Sequence, residues 1–203
     1  MRTAFIQQLI IEARRDPSIF LIVGDLGYSV VEPFAEEFPD RFLNAGVAEQ
    51  NMAGMAAGLA MEGYMVFIYS IANFPTLRCM EQIRNDICYH KLDVKIVSVG
   101  AGFAYGPLGM SHHATEDLGM MRILPEMEVV SPCDPVETRL VTRMLAGRRG
   151  PGYLRLGKSG ERRVHSSEPE FSWGEFAVIK PGIEVAIVGH GSVLGLVLDR
   201  MRE

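Results

Sequence analysis

The sequence predicts an α/β fold: a doubly wound, mostly parallel sheet with helices on both faces. Helical and strand patterns alternate almost throughout the chain, and alternating elements argue for a parallel sheet covered on both sides. Val94–Val99 reads Val-Lys-Ile-Val-Ser-Val, β-branched and mostly apolar, as a buried strand should be. With 48% apolar and 22% charged residues, a chain of 203 has enough material for a real core.

In chain order, residues 3–15 carry an amphipathic helical pattern and Ile19–Val23 form an apolar run. The polar region 36–41 precedes a short run, Phe42–Asn44, and a helix over about 47–62 rich in Ala and Gly. Residues 65–69 read as a strand, 76–91 as a helix and 94–99 as the buried strand. A short helix is expected at 116–123, a strand at 128–131, and a helix at 135–148 opened by Asp134-Pro135. Residues 153–156 close the series as a strand. Residues 158–173 are polar without apolar period and read as a linker or exposed loop. Beyond it come strand candidates at 176–179 and 185–189, then a helix from Ser192 to the end. One β-α unit is too little to close a sheet of its own. The expected organisation is a domain over 1–160, a linker over 161–175, and the incomplete start of a further α/β domain over 176–203.

Net charge is −5 with no basic block, which argues against nucleic-acid binding. Cys79, Cys88 and Cys133 show no CxxC and no metal-ligand spacing, and read as buried free thiols in a reducing compartment. The N-terminal apolar run is broken by Gln and ends in charges, so it is no signal peptide, and no segment is fit to span a bilayer. A cytoplasmic protein with no membrane contact is the expectation.

In such sheets ligands sit beyond the carboxyl ends of the strands. Gly24-Asp25, Gly46–Glu49, Ser70–Phe74 and Gly100–His113 all fall there. Glu49 opens a helix among apolar neighbours; it is either a first-turn residue complementing the helix dipole or a buried proton-handling group. Gly100-Ala-Gly-Phe-Ala-Tyr-Gly106 follows a strand but runs on into Pro107, so no helix starts where a dinucleotide fingerprint needs one. Gly24-Asp25-Leu26-Gly27 with Asn51 only faintly matches a GDG…N magnesium motif, and no metal site is expected; Asp25 is a turn residue or a pocket-lining group. His112 and His113 are hydrogen-bonded loop histidines, or one is an active-site group. Phe74 is core or a face for a flat ring, and the cations after Tyr153, Arg155 and Lys158, are a solvated edge or an anion anchor.

Together these pieces resemble the pyrimidine-binding domain of the transketolase family, which includes deoxyxylulose-phosphate synthase. The resemblance rests on Gly24-Asp25-Leu26, Arg41-Phe-Leu-Asn-Ala-Gly-Val-Ala-Glu-Gln50, Ser70-Ile-Ala-Asn-Phe74 and Glu81-Gln-Ile-Arg-Asn-Asp86. Gly109-Met-Ser-His112, Leu124–Asp134 and Gly150-Pro-Gly-Tyr-Leu-Arg155 follow in the same order. It implies a transketolase-like enzyme that uses thiamine diphosphate to transfer a two-carbon ketol unit between sugars. Glu49 then corresponds to the family's catalytic glutamate, engaging the cofactor's aminopyrimidine. Ile71 and Phe74 match positions that pack on that ring, Asp25 lies in a matching cofactor-side segment, and His112 matches a histidine that contacts substrate oxygens. Lys158 stands where relatives place an arginine for substrate phosphate, and a lysine is a point charge rather than a fork.

Three departures accompany the resemblance. Leu108 replaces an acidic residue of the family pattern, the diphosphate-binding domain is absent, and most of the C-terminal domain is missing. The economical reading is one subunit of a split enzyme, inactive alone and working with an N-terminal-type partner that holds magnesium and diphosphate, in a homodimer or heterotetramer. Two alternatives stand beside it: an E1 β-like subunit of a 2-oxo acid decarboxylating enzyme, and a truncated, non-catalytic interaction protein.

Overall fold

The computed structural model describes residues 1–170 and 172–201. Helix α1 (Arg2–Arg15) leads into strand β1 (Ile19–Val23), helix α2 (Glu32–Glu37), strand β2 (Phe42–Asn44), helix α3 (Glu49–Met61) and strand β3 (Met65–Ile71). A composite helix, α4, follows: a 3-10 turn Leu77–Cys79, an α turn Met80–Gln82 and a π-helical stretch Ile83–Cys88. Then come strand β4 (Val94–Val99), helix α5 (Asp117–Ile123), strand β5 (Glu128–Val130), helix α6 (Pro135–Ala146), strand β6 (Gly152–Leu156) and helix α7 (Val193–Arg200).

The six strands form one sheet in the order β2-β1-β3-β4-β6-β5, and every pairing is parallel. Alternate side chains feed two cores. Phe67 and Tyr69 face α1 and α6, with Phe5, Leu9 and Leu145. Val66 and Ile68 face α3 and α4, with Met52, Ala53, Ala56 and Ile83. The small residues of α3 let its backbone lie close to the sheet. That helix belongs to the crossover from β2 to β3, which passes β1 and reverses the strand order there. Such a switch point opens a crevice at the strands' carboxyl ends. Backbone bonds level this rim: Gly24 N–H donates to Tyr69 O at 3.2 Å, Ala72 N–H to Val99 O at 2.8 Å, and Gly100 N–H to Leu156 O at 2.9 Å.

Most elements fall where the pattern places them, and four differences have physical causes. Helix α2 was not expected; six residues with one buried side chain, Phe34, are too short to show a period. The segment 76–91 is helical only over its middle and changes winding twice; the wider π turn keeps Ile83, Ile87 and Cys88 all facing the core. Residues 176–179 and 185–189 form no strands, because a strand needs a neighbour for its peptide groups and none of the described residues supplies one. Their apolar side chains, Phe176, Val178 and Val185 among them, are exposed. The helix expected from Ser192 to the end is found as α7, with the last two residues outside the described ones. Finally, Arg155 is no solvated cation: its guanidinium turns inward onto fully buried Asp117 (Nε to Oδ2, 2.8 Å) and Ala114 O (2.7 Å).

No helix of the described residues is long and apolar enough to cross a membrane.

Candidate active site

Glu49 is the first residue of α3 and only 1% exposed. Its Oε2 accepts a hydrogen bond from Arg78 Nη1 at 2.7 Å, while Oε1 is buried with no partner among the described residues. Gly24, at the end of β1, faces that carboxylate: a Cβ there would lie 3.5 Å from Glu49 Cγ and 3.4 Å from Ser70 Oγ. The Ser70 hydroxyl is also buried and unpartnered among the described residues. A buried acceptor left unsatisfied costs roughly 1–3 kcal/mol and is an exception that asks for a missing donor.

Arg78 comes from the first turn of α4, one helical turn after Phe74. Its guanidinium carbon sits 4.6 Å from the centroid of the Phe74 ring, so one planar N–H donor both covers the ring and reaches Glu49. Burial and the Glu49 carboxylate push the nearby Cys79 thiol up to about 12, with Arg78 opposing, so this thiol is not a nucleophile at neutral pH.

The glycine-rich loop after β4 closes over this region. Paired amides of Gly102 and Ala114 pin its two ends (3.0 and 2.9 Å). His112 stands edge-on to Phe74 with centroids 5.1 Å apart, and its Nδ1 lies 3.0 Å from Ser111 Oγ. His113 packs edge-on to Phe103 and contacts Gly106 O at 3.2 Å. Phe74, Arg78, Phe103 and His113 border one open cavity of about 600 Å³. Tyr105 sits behind His112 at 6.3 Å, and Lys158 Nζ lies 5.0 Å over the Tyr105 ring. Burial raises the Tyr105 phenol above its ordinary value.

These residues lie in a chain whose residues 1–162 match the family model described as transketolase, pyrimidine binding domain. The chain belongs to that family. It is 36% identical over 169 residues to an apulose-4-phosphate transketolase subunit of Actinobacillus succinogenes, covering 83% of this chain and 54% of the relative. It is 35% identical over 195 residues to the apulose-4-phosphate transketolase subunit of the same type from Phocaeicola vulgatus, covering 95% and 62%. A solved split-gene transketolase, described as an inactive beta4 tetramer, superposes with a TM-score of 0.89 at 40% identity, over 99% of this chain and 66% of that one. The chain thus spans 54 to 66% of the length of these relatives.

In this transketolase-family domain, Phe74 touches His112, Glu49 is joined to Phe74 through Arg78, and Lys158 stands one ring further out, over Tyr105. Two expected residues lie apart from them. Ile71 packs against the core beneath α1, on the sheet face opposite α3. Asp25, with φ of 55°, exchanges hydrogen bonds with Asn44 (both 3.0 Å) and thereby joins the ends of β1 and β2 as a turn residue. Sequence reasoning missed Arg78 and Tyr105. The Phe74-Pro-Thr-Leu-Arg78 spacing at a helix start was the available signal for the first; nothing local signals that Tyr105 folds back over Gly100.

Proposed function

We propose that this chain is the pyrimidine-side subunit of a thiamine diphosphate-dependent, transketolase-like transferase. The observation that carries the reading is the arrangement around Arg78. A flat N–H donor lies over Phe74 and donates to the buried Glu49 carboxylate. An aminopyrimidine ring offers the same two features, a flat face and an N–H, and Glu49 Oε1 retains an acceptor site that none of the described residues fills. The residues present therefore fit the group. Phe74 would face the ring, Glu49 would hold a proton at the ring nitrogen, and Arg78 would withdraw toward solvent, where its side chain is already 44% exposed. When bound, the cofactor supplies the carbon nucleophile that carries a two-carbon ketol unit.

His112, beside Phe74, would hold a proton or donate to the sugar's oxygens. Lys158 would attract the far, anionic end of a phosphorylated ketose. Ile71 and Asp25 would shape the pocket from behind rather than touch the ring. The names of the apulose-4-phosphate relatives support a phosphorylated sugar as substrate class. The split-gene neighbour, an inactive tetramer of β chains, supports dependence on an N-terminal-type partner. That partner would bring magnesium and the diphosphate-binding domain into a cytoplasmic heterotetramer, and residues 176–203 would open a C-terminal domain.

The test is purification of the tagged chain from its own cells with magnesium and thiamine diphosphate present, followed by coupled assays. We expect a second subunit, bound cofactor, and turnover of phosphorylated ketoses. Glu49→Ala in that assembly should abolish turnover while weakening substrate binding far less. Equal loss of both removes Glu49 from the chemistry. Turnover of 2-oxo acids alone selects the E1 β-like reading, and full recovery without partner or cofactor selects a non-catalytic protein.

A further inference from the structure

The turn before α6 carries a second group of reactive side chains, on the sheet face opposite α3. Cys133 Sγ, a carboxylate oxygen of Glu137 and a ring nitrogen of His165 all lie within 4.8 Å of one another. Thiol, carboxylate and imidazole are the three donor types that zinc accepts. With Zn–S near ~2.3 Å and Zn–N or Zn–O near ~2.0–2.2 Å, the ligand atoms of a tetrahedral site stand roughly 3.3–3.8 Å apart. The Glu137 Oε1 to His165 Nε2 distance is 2.8 Å, so that contact would open by less than about 1 Å, a small side-chain rotation.

The frame is fixed without the ion. Fully buried Asp134 accepts from Val136 N (2.9 Å) and Glu137 N (2.8 Å) with one oxygen. Its other oxygen accepts from Val164 N and His165 N, both at 2.8 Å. The backbones carrying Glu137 and His165 are thus tied to one carboxylate. Glu137 Oε2 accepts from Cys133 N at 2.7 Å, which orients the carboxylate as outer partners orient metal ligands. A cavity of about 440 Å³ borders Cys133, Glu137 and Val141.

We propose that Cys133, Glu137 and His165 bind a zinc-type divalent cation, which clasps the segment after β6 to the start of α6. The thiol enters as thiolate and its proton leaves to solvent. Neither the cofactor nor the partner is involved, so this inference stands or falls separately from the proposed function.

Cobalt(II) is the probe, titrated into the purified full chain under reducing conditions. Cobalt reports a thiolate ligand by near-ultraviolet charge-transfer absorption, and zinc should displace it. We expect one ion per chain with that absorption, loss of the absorption in Cys133→Ser, and at least about tenfold weaker zinc binding in His165→Ala. His165 lies outside both hydrophobic cores, so His165→Ala keeps the fold if Cys133→Ser does not. Uptake without charge transfer would place the ion on other histidines. Absorption surviving Cys133→Ser would place it on Cys79 or Cys88. No stoichiometric uptake would leave the cluster an ion pair and nothing more. Each of these overturns the site.

Discussion

Arg78 Nη1 stands 2.7 Å from Glu49 Oε2, yet the two side chains differ sharply in environment: the carboxylate is 1% exposed and the guanidinium 44%. Removing one partner of such a pair is therefore asymmetric. In Arg78→Met a buried charge loses its counter-ion, which costs about 2–3 kcal/mol after allowance for the open side. In Glu49→Gln the arginine returns to water and the loss stays below about 1 kcal/mol. Urea unfolding of both variants and the double variant measures this. Similar costs for the two singles would mean that the carboxylate does not depend on Arg78.

Gly100 determines where the histidine loop lies. A Cβ there would overlap the Tyr105 ring, and φ is +100°, so any side chain is strained as well as crowded. Gly100→Ala should cost about 2–4 kcal/mol and push Tyr105 outward, away from His112 and Lys158. Tyr105 fluorescence quenching and the unfolding midpoint are the readouts; a variant of unchanged stability would mean the ring has another place to go.

The sheet and the rim were legible because both are local statements. Alternating patterns mark the strands, and small residues after Gly46 mark a helix that must approach the sheet closely. The carboxylate that heads this helix was legible for the same reason. What was not legible depends on long-range folding. Arg155 reads as an exposed cation at a strand end until Asp117, 38 residues away, is brought beneath it. Asp25 reads as a turn residue or a pocket-lining group, and only Asn44, 19 residues away, shows how its carboxylate is held. Ile71 follows the strand's alternation onto the core with α1, and its expected place on a cofactor ring came from the resemblance alone. The 176–189 runs have strand composition but no neighbour to pair with among the described residues, and composition cannot report a missing partner.

Lys95 points from β4 into the protein with no exposed surface. Its Nζ donates to Arg148 O at 2.8 Å and to Gly150 O. Burial lowers its pKa from 10.5 to about 8, opposed by Asp93 and Glu128. The folded value lies below the unfolded one, so the unfolded chain binds more protons between them. This contribution to stability is present above about 10.5 and is lost as pH falls to about 8. A neutral amine still has N–H groups for both carbonyls. The stability difference between wild type and Lys95→Met should grow by about 2–3 kcal/mol as pH rises through that window, since the variant lacks this titration. A flat difference would show that the ammonium stays charged throughout.

Asp134 separates two jobs between two oxygens. One caps α6 through Val136 N and Glu137 N, the other holds Val164 N and His165 N. Asp134→Asn keeps a carbonyl oxygen for the cap but turns an N–H₂ toward two further N–H groups, donor against donor. Asp134→Ala loses both. We expect about 2–4 kcal/mol from Ala, for a cap and a buried acceptor together, and about half that from Asn. Amide exchange distinguishes the two jobs: in Asn, residues 164 and 165 should lose protection while 136 and 137 keep it. Loss of protection at all four amides in the Asn variant would mean that the cap and the tether are one structure, and that residues 164–165 help to hold the start of α6 rather than simply resting on it.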